Sequence, residues 1–482
     1  MPTTDPTSDG GAPYAAQRRL MLSRQMESKR LVIPAGTLKV RAGDSDYRFR
    51  AHSAFVHLTG LGARCEPGSV LILEPVGRGE GDSGGHHRAT LYLPPPSGPG
   101  NADYYSDEIF GGFWIGERPS LAAVQATCGI VTADIAEIET AVWNIASEGR
   151  PRDVQICSLR GLDPWVDALV DSSRRRTDDS VGAHKEPSWL ELDDSLSEVL
   201  SELRLVKDAW EVEQIRKAVA ITVEGFHDVV KALPRALAHP RGERVVETTF
   251  AGRARVDGND VGYETVAASG NNATTLHWMC NDGPVRPGEL LLLDAGAETN
   301  SLYTADITRT LPVSGRFSDV QRLVYEAVLE AADAAFCAAS PGRRFRDIHD
   351  AAMEVLATRL ETWGILPVSI REALAPNGQH HRRWMPHGAS HHLGLDVHDC
   401  AQARKELYLD GMLVSGMVFT IEPGLYFKEE DLAVPPEFRG IGVRIEDDIL
   451  ISDAGPVNLS AALPRRPEDI EGWMQSVESS SA

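Results

Sequence analysis

No run of eighteen apolar residues occurs anywhere in the 482-residue chain, and a bilayer-spanning helix needs about twenty. Nothing in the sequence is therefore expected to cross a membrane. The six cysteines, at positions 65, 128, 157, 280, 337 and 400, include no Cys-x-x-Cys pair, which argues against a zinc ribbon or a redox dithiol. Sparse, unpaired thiols in a chain this long point to a reducing compartment. Met1 to Gly11 is polar and acidic with no apolar core, so no signal peptide is expected and the protein is expected to be cytoplasmic. Positive charge is short as well: 48 Lys and Arg stand against 70 Asp and Glu, a formal net charge of −22. Such a field repels phosphate backbones and anionic lipid, so neither nucleic acid nor a membrane surface is an expected partner.

What is present is an ordinary globular composition, 42% hydrophobic and 24% charged, in a chain able to bury roughly three-quarters of its unfolded surface without disulfides or a structural metal. Two polar stretches punctuate it. Gly77 to Gly100 carries GRGEGDSGGHHRAT and PPPSGPG around Leu91, Tyr92 and Leu93, and reads as a long hairpin loop within one domain. Asp171 to Pro187, with SSRRRTDDSVGAHKEP, separates two styles of sequence and marks the boundary. The expected organisation is a disordered tail over residues 1–17, a smaller α/β domain over 18–187 and a catalytic domain over 188–482.

Before the boundary, short β-rich runs at Leu31 to Pro34, Ser69 to Glu74 and Val154 to Cys157 alternate with helical stretches. After it, Asp208 and Glu211 form a capping box ahead of Val212, Ile215, Val219, Val223, Phe226 and Val230, whose spacing predicts a long helix. Ser318 with Gln321 opens a second helix, and a third spans Phe345 to Trp363. Strands are expected at Glu289 to Asp294, Asp306 to Leu311, Met417 to Glu422 and Ile441 to Ile451. Runs of helices and antiparallel strands give an α+β class for this half.

Histidine is concentrated: six of the 15, at 380, 381, 387, 391, 392 and 398, fall within 19 residues. A lone histidine is usually a surface or core residue, but a cluster in HGASHHLGLDVHD points to a metal or a substrate. Carboxylates supply the complement. An apolar strand runs into Asp294, and a reversal centred on Asn300 would set Asp294 opposite Asp306. In MVFTIEPG, Val418, Thr420 and Glu422 share one face; in IGVRIEDDILI, Gly442, Arg444, Glu446 and Asp448 share another. Four carboxylates and a neutral imidazole carry a charge that two divalent cations would neutralise. Oxygen-dominated ligation suits Mn²⁺, Mg²⁺ or Co²⁺. Such a pair can hold a bridging hydroxide and polarise a carbonyl, so hydrolysis is the expected chemistry.

The ordered blocks DAGAE(x)7DITRT, HGASHHLGLDVHD, TIEPGLY and RGIGVRIEDD, over Arg204 to Arg466, resemble those of the pita-bread metallopeptidases, and specifically the Xaa-Pro aminopeptidases, or aminopeptidase P. AGDSDYRFRAHSAFVHLTG and FWIGERPS resemble the family's N-terminal domain. The resemblance implies a C-terminal pita-bread catalytic domain and a homodimer or homotetramer. It also implies a site of two divalent ions, most simply Mn²⁺, acting on peptides with proline in second position. By it the metal ligands are Asp294, Asp306, His391, Glu422 and Glu446, with Asp306 and Glu446 bridging and Glu422 also taking the proton from the attacking water. His387 and His398 match residues that contact the substrate carbonyl and the tetrahedral intermediate, and His277 one lining the proline subsite. Asp44 and Arg444 match a pair linking the N-terminal domain to the metal centre, and Trp114 a residue that reaches a neighbouring subunit's site. Two departures stand out. The spacing from Asp294 to Asp306 is one residue longer than the resemblance implies, so a bulge is expected, and His392 stands where an aromatic residue is implied, so His391 and His392 compete as ligands, with the spacing to Gly388 and His398 favouring His391. The alternatives are a prolidase on the same fold and a pita-bread module kept for binding alone.

Overall fold

Residues 10–76, 87–143, 154–181 and 187–480 are described by the computed structural model, and the chain divides into two units, Met1–Leu203 and Arg204–Ala482. In the first unit five strands form one mixed sheet, in the order Val131–Asp134, His87–Leu93, Val70–Pro75, Arg30–Pro34, Ile156–Ser158. The three central strands are antiparallel neighbours, and the two edge strands run parallel to theirs. Every residue of Arg30–Pro34 and Val70–Pro75 is buried, so the charged pair among them has to be internal: Arg30 clasps Glu74 with two hydrogen bonds.

Three expectations for this unit are corrected. Leu91, Tyr92 and Leu93 are buried in a strand of the sheet rather than carried in a loop; the turn of that hairpin, residues 77–86, lies outside the described residues. The tail expected over 1–17 is helical from Ala12, in Ala12–Gln25, and residues 1–9 lie outside the description. The boundary falls after Leu203 rather than after Pro187. Charge pairing explains it, because the arginine run sits on the helix Pro164–Val181 and buried Arg174 grips Asp193 of the next helix, Pro187–Glu202, at 2.6 Å. Asp193 also accepts from the Ser158 amide at 2.7 Å, which stitches that helix to the first sheet.

The second unit is α+β. Its long helix, Ala209–Leu237, opens on the expected capping box of Asp208 and Glu211, and Asp319–Ala338 opens on that of Ser318 and Gln321. Helices Gly242–Asp257, Arg346–Thr362 and Pro467–Ser480 complete the helical complement that matters here. Two sets of antiparallel strands lie with them. In the first, Leu290–Ala295 is flanked by Ile307–Pro312 and Val266–Ser269. Leu290 to Leu293 are all buried, as a strand covered on both faces requires.

The hairpin joining Asp294 to Asp306 keeps one register throughout and turns on Ser301, not Asn300, so Asp294 lies opposite Thr308 rather than Asp306. No bulge interrupts this ladder. The extra residue is taken up in the turn, where Leu302 adopts the left-handed region at φ 68°. Gly296 is required by close approach, since a side chain there would run into the Ala305 carbonyl and the Tyr263 ring.

The strand expected over Ile441 to Ile451 is two strands, Ile441–Arg444 and Asp447–Ser452, and Val418–Ile421 is likewise separated from Gly424–Phe427 at Pro423. Proline has no amide to donate there. Ile421 pairs with Asp447 and Gly424 with Arg444 in one continuous register, which places Glu422 opposite Glu446 at the interruption. The Glu446 amide, released from that ladder, donates instead to the Thr308 carbonyl at 3.1 Å. The two strand sets are joined at the point where the acidic residues emerge.

Candidate metal centre

Side chains alternate along a strand, so Asp306 and Thr308 share the face of Asp294, while Thr420, Glu422, Arg444, Glu446 and Asp448 share that of the second hairpin. The bridge between Thr308 and Glu446 brings these faces together. They line a cavity of about 530 Å³ that also includes Tyr263, His277, His387, His391 and His398. His391 is fixed beside the second hairpin by the pair of bonds between its backbone and Thr420, 3.2 Å to the hydroxyl and 2.9 Å from the Thr420 amide. Its Nε2 lies 3.3 Å from Asp306, 3.4 Å from Glu422 and 4.0 Å from Glu446. One donor atom each from Asp306, His391 and Glu446 falls within 4.8 Å of the others.

Crowded acids dominate the electrostatics. Burial, with Asp306 beside it, pushes the Glu422 carboxyl up to about 7 against the pull of His391. Burial and the surrounding carboxylates hold Glu446 well above its ordinary range. Asp294 is raised by burial too, although the Arg444 guanidinium opposes it. His391 shows the converse: burial lowers it, but the hydrogen bond to Asp306 and the charges of Glu422 and Asp306 outweigh that and raise it to about 9. Asp306 and Glu446 are buried and Asp294 and Glu422 nearly so, and carboxylates crowded in this way take up protons unless cations replace them. Oxygen donors with one imidazole and no thiolate fit hard or borderline divalent cations.

A second layer of side chains orients this set. The Tyr263 hydroxyl lies between Asp294, at 2.7 Å, and Asp306. Thr308 donates to Glu446 at 2.6 Å and accepts from Arg444 Nε at 3.2 Å. The Asp448 carboxylate accepts from the Asp306 amide at 3.2 Å. The Tyr263 and Thr308 bonds hold carboxylate rotamers and the Asp448 bond holds the backbone that carries Asp306, as outer partners of a metal site do. Tyr263, Thr308 and Asp448 had no assigned part in the sequence reading; the periodicity of the second hairpin held a signal for Asp448 alone, by its shared face with Glu446.

The two competing histidines separate cleanly. His392 is fully buried, stacked on Phe345 at 4.4 Å with Tyr408 at its edge, and desolvation drives it down to about 3. A neutral imidazole there packs as an aromatic ring would, and His391 is the one in the cavity. His387 has both nitrogens engaged: Nε2 meets the Tyr426 hydroxyl at 2.8 Å and Nδ1 the Gly388 carbonyl at 2.7 Å. Because the Gly388 carbonyl can only accept, the proton of the neutral ring sits on Nδ1 and Nε2 accepts from the Tyr426 hydroxyl, to which Arg444 Nη1 donates at 3.0 Å. Desolvation and Arg444 keep this ring neutral, down to about 3. His398 is exposed to the cavity and sits edge-on to His391 at 4.6 Å. His277 lines the same cavity.

Two expected residues lie in the other unit. Asp44 is exposed on the turn between Val40–Ala42 and Ser45–Asp46, and Trp114 is 53% exposed on the short helix Gly112–Ile115, its Nε1 donating to the Tyr105 carbonyl at 2.8 Å. Arg444, the expected partner of Asp44, has all three guanidinium nitrogens bonded within its own unit, to Thr308, Tyr426 and Asp294. One further residue had no sequence signal. Glu243, fully buried on helix Gly242–Asp257, accepts from the Ser269 amide, Asn272 Nδ2, Trp278 Nε1 and the Gly283 amide, at 2.7–2.8 Å. All four donors belong to the segment that carries His277.

An acidic, thiol-free pocket with imidazoles among its carboxylates, built where two antiparallel hairpins meet, defines a metal-dependent hydrolase. Comparison with known proteins narrows the class. Residues 213–453 match metallopeptidase family M24, and residues 15–152 match the aminopeptidase P N-terminal domain. The chain is 47% identical over 467 residues to Xaa-Pro aminopeptidase 1 of Streptomyces coelicolor, covering 97% of this chain and 88% of that one. It is 31% identical over 472 residues to the Xaa-Pro aminopeptidase of Escherichia coli, covering 96% and 97%. Among solved structures, a histidine-to-alanine variant of Escherichia coli aminopeptidase P superposes with a TM-score of 0.79 at 29% identity, over 97% of this chain and 99% of that one. The same enzyme with the inhibitor Pro-Leu gives 0.78, again at 29% identity over 97% and 99%. The chain belongs to metallopeptidase family M24, among its Xaa-Pro aminopeptidases, with the pita-bread fold in its second unit.

Proposed function

We propose that this chain removes the N-terminal residue from peptides with proline second, and that two divalent ions, Mn²⁺ in the cell, are its cofactor. The observation that carries this reading is the convergence of Asp294, Asp306, His391, Glu422 and Glu446 on one cavity that His277 also lines. Asp294, Asp306, His391, Glu422 and Glu446 are the residues that would hold the ions, Asp306 and Glu446 being the two that would be shared between them. When bound, the ions supply the Lewis acidity that polarises a peptide carbonyl and acidifies water. Everything else is done by the chain. Glu422, in the cavity with its carboxylate 3.4 Å from His391, is the group that takes up the proton of the attacking water. Arg444 holds Asp294, and through Tyr426 it holds His387. With both its nitrogens committed, His387 acts by orienting its neighbours, and His398 is the imidazole free to meet the substrate carbonyl and stabilise the tetrahedral intermediate. His277 lines the proline subsite.

Asp44 and Trp114 are proposed to complete the assembled enzyme, a cytoplasmic homodimer or homotetramer. A prolidase is the competing reading on the same fold. Parallel assays of an Xaa-Pro-Xaa tripeptide and an Xaa-Pro dipeptide with Mn²⁺ decide between them: turnover of the tripeptide is expected, and cleavage of the dipeptide alone would move the assignment to prolidase.

A further inference from the structure

One helix grips the chain on both sides of His391. Arg346–Thr362 buries Ile348, Ala352, Met353 and Leu356 in the core, so the residues beside them are carried on a fixed support. At its N-cap, Phe345 stacks on His392 with ring centroids 4.4 Å apart. One turn further on, His349 receives a hydrogen bond at Nδ1 from the Ala389 amide, at 3.2 Å. Residues four apart share a helix face, and the two contacts fall on either side of the imidazole that enters the cavity. A backbone amide can only donate, so the His349 ring accepts at Nδ1 and, when neutral, carries its proton on Nε2. Burial pushes that ring below its ordinary value, with Asp350 opposing and His381 and Arg382 adding to the effect, so the acceptor is available at neutral pH. Ala389 is fully buried, and its amide would be left without a partner if His349 were removed.

Ala389 is also a joint within the acidic centre. Its carbonyl accepts from the Glu422 amide at 2.9 Å, and two residues on the His391 carbonyl accepts from the Thr420 amide at 2.9 Å. Residues 389–391 thus run alongside the strand that leads to Glu422, continuing the bridge between His392 and Phe419. That strand bonds the segment on one side, and His349 bonds it on the other.

We propose that His349 is a positioning residue of this centre, setting through Ala389 the separation of the His391 imidazole from the Glu422 carboxylate. The inference rests on the Xaa-Pro aminopeptidase reading and its ligand set. His391 Nε2 and the Glu422 carboxylate stand 3.4 Å apart, and the backbone of each is tied to the Ala389 peptide, one by the chain itself and the other by a hydrogen bond. His349 does not line the cavity. It acts through the backbone it holds, as outer partners of a metal site act through the ligands.

The test uses the full-length protein twice: stripped by chelation and titrated with Mn²⁺, and loaded with Mn²⁺ and given an Xaa-Pro-Xaa tripeptide. His349→Phe keeps a flat ring and removes the acceptor. It is expected to weaken Mn²⁺ affinity by about 10-fold and to lower kcat by about 10- to 100-fold. KM should stay within about twofold of wild type, because ligand geometry rather than substrate binding is disturbed. His349→Asn, whose Oδ1 offers an acceptor in place of Nδ1, should recover both quantities to within about threefold. If His349→Phe folds poorly, His349→Leu makes the same removal and decides the matter. Wild-type Mn²⁺ affinity and kcat in the acceptor-free variant overturn the proposal while leaving the aminopeptidase reading intact, and so does an equal loss in His349→Asn. A lowered thermal midpoint with metal affinity per folded molecule unchanged assigns His349 to the fold alone and overturns it as well. Failure of the wild type to bind Mn²⁺ or to cleave the tripeptide overturns the reading and the proposal together.

Discussion

Glu446 and Asp447 are neighbours in the chain, each 2% exposed, yet their surroundings act on them in opposite senses. The alternation of the strand turns Glu446 toward other carboxylates, which together with burial raise it well above its ordinary range. Asp447 turns the other way, to Arg309 at 2.7 Å, the Ser460 hydroxyl at 2.8 Å and Arg465 at 3.4 Å. There desolvation is overcome by the two guanidinium groups, and the carboxyl lies below its usual value. Depth of burial is the same; what differs is the sign of the charge placed opposite. One carboxylate is left short of cations and so is available to metal ions, while the other is already neutralised and serves the fold.

Substitution at the two positions should therefore break different properties. On the proposed ligand set, Glu446→Gln is expected to lower kcat/KM by at least about a thousandfold, since a carboxylate shared between the ions would be lost, with the thermal midpoint unchanged or higher. Asp447→Asn leaves Arg309 buried without its partner and should cost about 3–5 kcal/mol of stability, with activity per folded molecule far less affected. Kinetics and thermal unfolding on both variants check this, and a fully active Glu446→Gln enzyme would sink the ligand assignment. A smaller effect is expected one shell out. Tyr263→Phe removes the hydroxyl between Asp294 and Asp306 and should weaken metal affinity by about 10- to 100-fold. Titrating Mn²⁺ into chelator-treated protein measures it, and an unchanged affinity would separate Tyr263 from the ions.

The smallest expected difference is in pH. Asp447 and Asp399, the latter held by Arg204 and Lys207 against burial, both titrate lower when folded than the ordinary value of about 3.9. Their contribution is whole above that unfolded value, declines as pH falls from there toward the lower folded values, and is lost beneath them. The thermal midpoint of the wild type should thus fall more steeply below about pH 4 than that of Asp447→Asn, measured over pH 7 to 3. Parallel curves for the two proteins would argue that Asp447 carries no such linkage.

Local signals in the sequence translated well into structure where the physics was local. The capping boxes at Asp208 and Ser318 formed as their spacing requires, and the alternation in MVFTIEPG and IGVRIEDD set the correct faces. Features that depend on distant partners were not legible. The break before Asp447 follows from Pro423 on the facing strand and from the bond that Thr308 offers Glu446. The unit boundary lies beyond the polar run because Arg174 has a partner on the next helix. Tyr263 and Glu243 act through contacts with residues 26 or more positions away, and no periodicity marks either of them.

The hairpin around Ser301 pairs two residues away from the register that simple opposition of Asp294 and Asp306 would give, and the acidic side chains still meet. Pleated strands count in twos, so an even displacement leaves every residue on the side it had, whereas an odd one would put the two aspartates on opposite faces and hand one of them to the apolar layer. What the centre demands of its chain is parity rather than strict opposition. The longer spacing in this protein is an odd addition, and it is harmless only because Leu302 absorbs it at the tip. Evolution of this hairpin is consequently free to lengthen the turn by any amount that the turn itself can hide, and barred from passing a single residue into the strands.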